Sequence, residues 1–202
     1  MKIFENIPKV TKALLLMNIL MFFLIPYIPS DDLFYMVGFG ITSENFNPIQ
    51  LITSMFLHAG FSHIFFNMLF LWFLGDGIER EIGDRKFLIL YLLSGFGGFL
   101  LQGFFYPDVP HLGASGAVFG LIVAMGVLFP NREMSLLFLP FWKFKLKWFV
   151  LIYFSVEIYN ALSMDTGDGV AHWCHVGGGI TGLLLGGFWL TKNFSKFKLN
   201  NN

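Results

Sequence analysis

Six long apolar runs, separated by charged and polar stretches, set the hydrophobic pattern of this chain. They extend from Ala13 to Ile28, Phe61 to Ile78, Phe87 to Tyr106, Ser115 to Phe129, Trp148 to Met164 and Val170 to Thr191. A bilayer core about 30 Å thick is crossed by roughly 20 apolar residues in helical form, so each run predicts a transmembrane helix. The fourth is the shortest, which predicts that its start is sunk below the membrane surface. Ahead of the second run, the stretch from Asn47 to Leu57 is apolar but broken by Pro48, which suits a short helix or interfacial loop. The expectation is an all-α polytopic membrane protein: a stub at 1–12, a six-helix bundle over 13–191 and a polar tail at 192–202. No small-residue cleavage site follows the first run, which is read as a retained signal anchor.

Composition agrees with lipid as the solvent. The chain is 55% hydrophobic, 19% aromatic and only 13% charged, with a mean hydropathy of +0.66; these are membrane values. Its 13 basic and 13 acidic residues balance, which argues against nucleic acid as a partner. The lone cysteine, Cys174, excludes an internal disulfide.

The charges also predict topology. Six crossings put both termini and the second and fourth connections on one side of the membrane. Lys2, Lys9 and Lys12 precede the first run, and Arg80, Arg85 and Lys86 lie in the second connection. Arg132, Lys143, Lys145 and Lys147 lie in the fourth, and Lys192, Lys196 and Lys198 in the tail. Those are all 13 basic residues. The opposite connections hold Asp31, Asp32, Glu44, Asp108, Asp165 and Asp168. The positive-inside rule places both termini in the cytoplasm, and the expected location is a bacterial inner membrane. Leu136 to Trp142, followed by alternating lysines, reads as interfacial anchoring.

This topology brings polar residues to one depth. Ser115 and His175 each lie seven residues beyond an outer-side acid, Asp108 and Asp168, in runs that both head inward. At about 1.5 Å per helical residue, both sit at most roughly 10 Å from the outer surface. His63 and Asn67 occupy the early turns of the second run, which also heads inward, and their spacing of four puts them on one helix face. Any one of these residues alone reads as interhelical glue. Together they make a chemical set: a hydroxyl becomes a nucleophile when a base within reach takes its proton, and histidine is the usual base. Ser115 and His175 could form such a dyad. The Asn67 amide, the His63 imidazole and the Ser115 backbone N–H could stabilise an oxyanion. Gly116, Gly120 and Ala124 form a small-residue stripe on the fourth helix, and Gly178, Gly182 and Gly186 share a face with His175. Such stripes let membrane helices approach closely.

These residues carry a resemblance to the rhomboid family of intramembrane serine proteases. The family's His-x-x-x-Asn on the second helix is matched by His63 to Asn67, its Gly-x-Ser at the start of the fourth by Gly113 to Ser115, and its His followed by Gly-x-x-x-Gly on the sixth by His175, Gly178 and Gly182. Gly75 to Glu79 resembles its Gly-x-x-x-Glu. The resemblance implies a six-helix rhomboid bundle and a Ser/His dyad without a third acid. It also implies hydrolysis of transmembrane-segment peptide bonds near the outer face, with lateral access between the second and fifth helices. No cofactor or metal is expected, and the partners are the lipid bilayer and transmembrane protein substrates; oligomeric state is left open. Two positions depart from the family pattern. The first outer connection lacks a Trp-Arg pair, and the tyrosine expected to pack under the histidine is Phe119.

Other polar residues have competing readings. His172 is three before His175 and competes as the base, but the glycine register fits His175. His58 is expected to be structural. Glu157 lies mid-span, where an unpaired charge is expensive, and is expected to be protonated or paired, with Asn160 or a group on the second helix as candidates. Cys174 between two histidines suggests a metal, yet adjacent helix positions diverge by about 100°. No His-Glu-x-x-His is present, and no pair of facing membrane aspartates. A transporter would show repeated or broken helices. The remaining rival is a catalytically inactive rhomboid-like protein that binds transmembrane clients.

Overall fold

The computed structural model describes residues 6–136, 139–163 and 167–192. The fold is predominantly helical. In chain order its elements are α1 (Lys9–Leu24), α2 (Ser30–Met36), α3 (Gln50–Thr53), α4 (Phe61–Ile82), α5 (Asp84–Phe105) and α6 (Ser115–Leu128). There follow a hairpin of β1 (Glu133–Leu136) and β2 (Leu139–Lys145), then α7 (Leu146–Ser163) and α8 (His172–Lys192). Among the described residues, α1 with its 3-10 extension, α4 and α5 are long and apolar enough to cross a membrane, and α6 is a shorter apolar helix. The outer faces carry exposed apolar side chains, among them Leu16, Leu20, Phe66, Phe73, Ile152, Tyr159, Leu184 and Phe188. Such a surface belongs in lipid; the chain is an integral membrane protein.

The helix ends differ from the hydrophobic pattern for local reasons. α1 begins at Lys9, four residues before Ala13, because the Glu79 carboxylate of α4 receives its first turn. The N–H groups of Val10 and Thr11 donate to Glu79 at 2.8 and 2.7 Å, and the Thr11 hydroxyl donates at 2.7 Å. An anion at a helix N-terminus satisfies orphan donors and complements the helix dipole. Gly75, one turn before Glu79, leaves room for Thr11, whose side chain a β-carbon there would overlap. The other end of α1 passes into a 3-10 turn at Ile25–Tyr27, where Pro26 lacks an N–H to continue the helix. α4 runs to Ile82, beyond the expected Ile78, and Gly83 at φ 82° separates it from α5.

The stretch read as interfacial anchoring contains an antiparallel hairpin. Glu133 pairs with Lys145 and Ser135 with Lys143. The alternating lysines are the period-two signal of a strand, read from the sequence only as an anchor. Leu137 and Phe138 of that stretch lie outside the described residues, as do Met164 at the end of the fifth run and residues 193–202 of the tail. α2 was not foreseen, whereas the stretch from Asn47 to Leu57 folds as expected into the short helix α3 and the 3-10 turn Ser54–Phe56.

α6 is the innermost element. Every residue from Gly116 to Ala124 is buried, with α5 and α8 as the helix's principal neighbours. The contact with α8 is glycine against glycine: a β-carbon on Gly178 would overlap the Gly116 carbonyl oxygen, and one on Gly182 that of Gly120. α4 and α7, by contrast, make no comparably close backbone approach among the described residues.

Candidate active site

The start of α6 opens on a cavity of about 790 Å³. Ser115 is its first helical residue, preceded by Ala114 with no side-chain cap. The first N–H groups of an uncapped helix have no intrahelical acceptor, and the positive end of the dipole lies there. Gly113 makes the approach possible. Its φ is 123°, its N–H donates to the Ser54 carbonyl at 2.8 Å, and a β-carbon on it would stand 2.7 Å from His63 Nε2. The preceding loop is tied down by a bridge between Gly38 and His111, each donating its N–H to the other's carbonyl at 2.9 Å.

The cavity wall includes Ser115, His175, His63 and Asn67, with Phe119, Tyr153, Gln102 and Asp168. The side chains foreseen as nucleophile, base and oxyanion donors thus face one space. His63 and Asn67 come from one face of α4, where the Asn67 amide donates to the His63 carbonyl at 2.9 Å. A second amide hydrogen remains for another acceptor. The His63 ring meets His58 edge to face at 5.0 Å. His58 precedes α4 and is buried; burial, then the neighbouring His63, lowers its pKa to about 4. The His175 ring lies flat on Phe119, 4.2 Å between centroids and 11° between planes, so stacking requires no hydroxyl.

Glu157 of α7 was the residue whose partner sequence reasoning missed. Neither Asn160 nor the second helix supplies it. Glu157 Oε2 lies within hydrogen-bond distance of His175 Nδ1, at 2.9 Å, and of His172 Nδ1, at 2.8 Å. His172 Nε2 in turn faces Asp168 Oδ2 at 3.0 Å. Asp168 is half exposed outside the helices, and the Val170 N–H, followed by the His172 ring, holds its carboxyl below the usual range. A signal was present: His172 and His175 are three apart and share a helix face, opposite a mid-span acid. His172 is thus engaged between two carboxylates, while His175 lines the cavity. Glu157, His172 and His175 also offer three donor atoms within 4.8 Å of one another, a set whose atoms are already engaged in these hydrogen bonds. Cys174 is not in that set; its sulfur packs towards Gly98 and Gly116.

Residues 45–192 match the family described as Rhomboid domain. The chain belongs to the rhomboid family. It is 36% identical over 137 residues to RHOMBOID-like protein 4 of Arabidopsis thaliana, covering 68% of this chain and 33% of that protein. To RHOMBOID-like protein 1 of the same plant it is 35% identical over 161 residues, 76% of this chain and 38% of the relative. To Rhomboid protease GluP of Bacillus subtilis (strain 168) it is 37% identical over 142 residues, 66% and 28%. The matched stretch of this rhomboid protein therefore spans about a third of these relatives' length.

Proposed function

We propose that the chain is an intramembrane serine endopeptidase that hydrolyses peptide bonds in or near the transmembrane segments of other membrane proteins. The observation that carries this reading is the shared cavity of Ser115 and His175 at the start of α6. Ser115 Oγ attacks the scissile carbonyl carbon while His175 takes its proton, and the π-electron pair of the carbonyl moves onto oxygen. That oxyanion lies where the Ser115 N–H, the Asn67 amide and the His63 ring can donate to it. Collapse breaks the C–N bond, the leaving amine takes the proton from His175, and water then releases the acyl group by the same steps.

Six helices, α1 and α4 to α8, would cross the membrane. The one-sided distribution of all 13 basic residues favours cytoplasmic termini in a bacterial inner membrane. On this reading residues 1–12 and 192–202 are cytoplasmic and the cavity opens outward, where water is at hand. The lack of close backbone packing between α4 and α7 among the described residues favours lateral access of a substrate helix there. A relative named a protease agrees with the reading. Hydrolysis by a Ser/His pair requires neither cofactor nor metal.

A fluorophosphonate reports an activated serine without a substrate being known. Labelling of wild-type protein at Ser115, with none in Ser115→Ala, is expected. A wild type that stays unlabelled overturns the enzyme reading in favour of a rhomboid-like protein that only binds transmembrane clients.

A further inference from the structure

We propose that Glu157 is a positioning residue for His175, converting the expected dyad into a carboxylate-assisted one; this rests on the Ser115–His175 reading above. Stacking leaves one choice of ring orientation open. Phe119 holds the plane of the His175 ring, but a ring turned by 180° about Cβ–Cγ occupies the same plane with Nδ1 and Cδ2 exchanged. The hydrogen bond to Glu157 at 2.9 Å distinguishes the two. An ionised carboxylate only accepts, so the nitrogen facing it carries the proton. His175 is thereby held as the Nδ1–H tautomer, which leaves the Nε2 lone pair to receive the Ser115 proton. When that proton arrives, the new positive charge on the ring stands beside the carboxylate, and when Nε2 passes it to the leaving amine the ring returns to its starting tautomer.

The setting favours this over a helix tie alone. A carboxylate inside a membrane helix is expensive, and a neutral amide would serve as well to hold α7 against α8. Here Glu157 is buried and His172 donates to the same oxygen at 2.8 Å, which fixes the acceptor. His172 is itself anchored on Asp168 at the rim. The charged and titratable groups around His175 are thus Glu157 and, across the Phe119 ring, Tyr153 from α7, His63 from α4, and His172 with Asp168 behind it.

The test compares full-length wild-type, Glu157→Gln and Glu157→Asp proteins in detergent, reading cleavage of a single-span reporter, fluorophosphonate labelling and thermal unfolding. Glu157→Gln is expected to lower kcat and the labelling rate by about 10²-fold or more, with KM changed by no more than about threefold. Glu157→Asp is expected to recover part of the loss. Wild-type kcat in Glu157→Gln, or a loss confined to KM, overturns the assignment. Nitrogen-15 spectra of histidine-labelled wild type give a readout independent of activity and of variant folding. Nδ1-protonated His175 at neutral pH supports the proposal and Nε2-protonated His175 overturns it. A wild type that neither labels nor cleaves overturns the dyad reading instead, and the spectra still decide whether Glu157 sets the ring.

Discussion

Gly113 shows how closely this site is built around single residues. At φ 123° it adopts backbone that other residues enter at a cost of about 1–3 kcal/mol, and its missing side chain makes room for the His63 ring. Gly113→Ala is therefore expected to lower both thermal stability and cleavage, because the new methyl displaces a proposed oxyanion donor; normal activity would contradict that placement. His58 gives a prediction in pH. Unfolded, a histidine titrates near 6.5, whereas burial lowers the pKa of folded His58 to about 4. Between those values the unfolded chain holds a proton that the folded one lacks, so stability is full above about pH 6.5 and falls as pH drops towards 4. Melting temperature in detergent should decline over that window, and His58→Gln should flatten part of the decline. A residual slope is expected from His111, which burial also shifts downward. The glycine, serine and histidine positions were legible in the sequence because each has a spacing signature. The Glu157 pairing was legible only in half: the three-residue spacing of His172 and His175 stood in the sequence, but their contact with Glu157 joins two helices and no local period records it.

At the scale of elements, two junctions place the site. The first is the seat of α1 on α4, where the Glu79 carboxylate accepts three hydrogen bonds from Val10 and Thr11. Glu79→Ala is expected to destabilise the fold by about 2 kcal/mol or more, since hydrogen bonds to a charged group are worth about 1.5–3 kcal/mol each and buried donors are left unpaired. An unchanged thermal midpoint would contradict this role. The second junction is the glycine contact of α6 with α8. Gly178→Val puts branched carbon against a backbone carbonyl that has no rotamer through which to escape. The helices must then part, and cleavage is expected to fail together with thermal stability, whereas Gly187→Val, at an open position, should be tolerated. The facing stripes were legible from the four-residue glycine period. The hairpin was missed because its aromatic and lysine-rich sequence also fits a membrane interface.

At the scale of the whole molecule, the charge pattern and the depth argument meet at the cavity. Assigning inside and outside also assigns depth along each helix, which is why four polar residues from three elements were expected together; in the fold they line one space. Helix ends were less legible, because they depend on tertiary acceptors such as Glu79 and on backbone features such as Gly83. The proposed topology predicts that cysteines introduced in the hairpin at Ser135 and in the loop at Asp108 react from opposite sides of a sealed vesicle. Reaction from the same side would contradict it. The central claim is that Ser115 and His175 carry out hydrolysis within the membrane. Its most direct test is cleavage of a single-span reporter by detergent-purified wild type beside Ser115→Ala and His175→Ala. Cleavage by wild type and none by either variant is the predicted result, and cleavage at the wild-type rate by either variant would contradict the dyad.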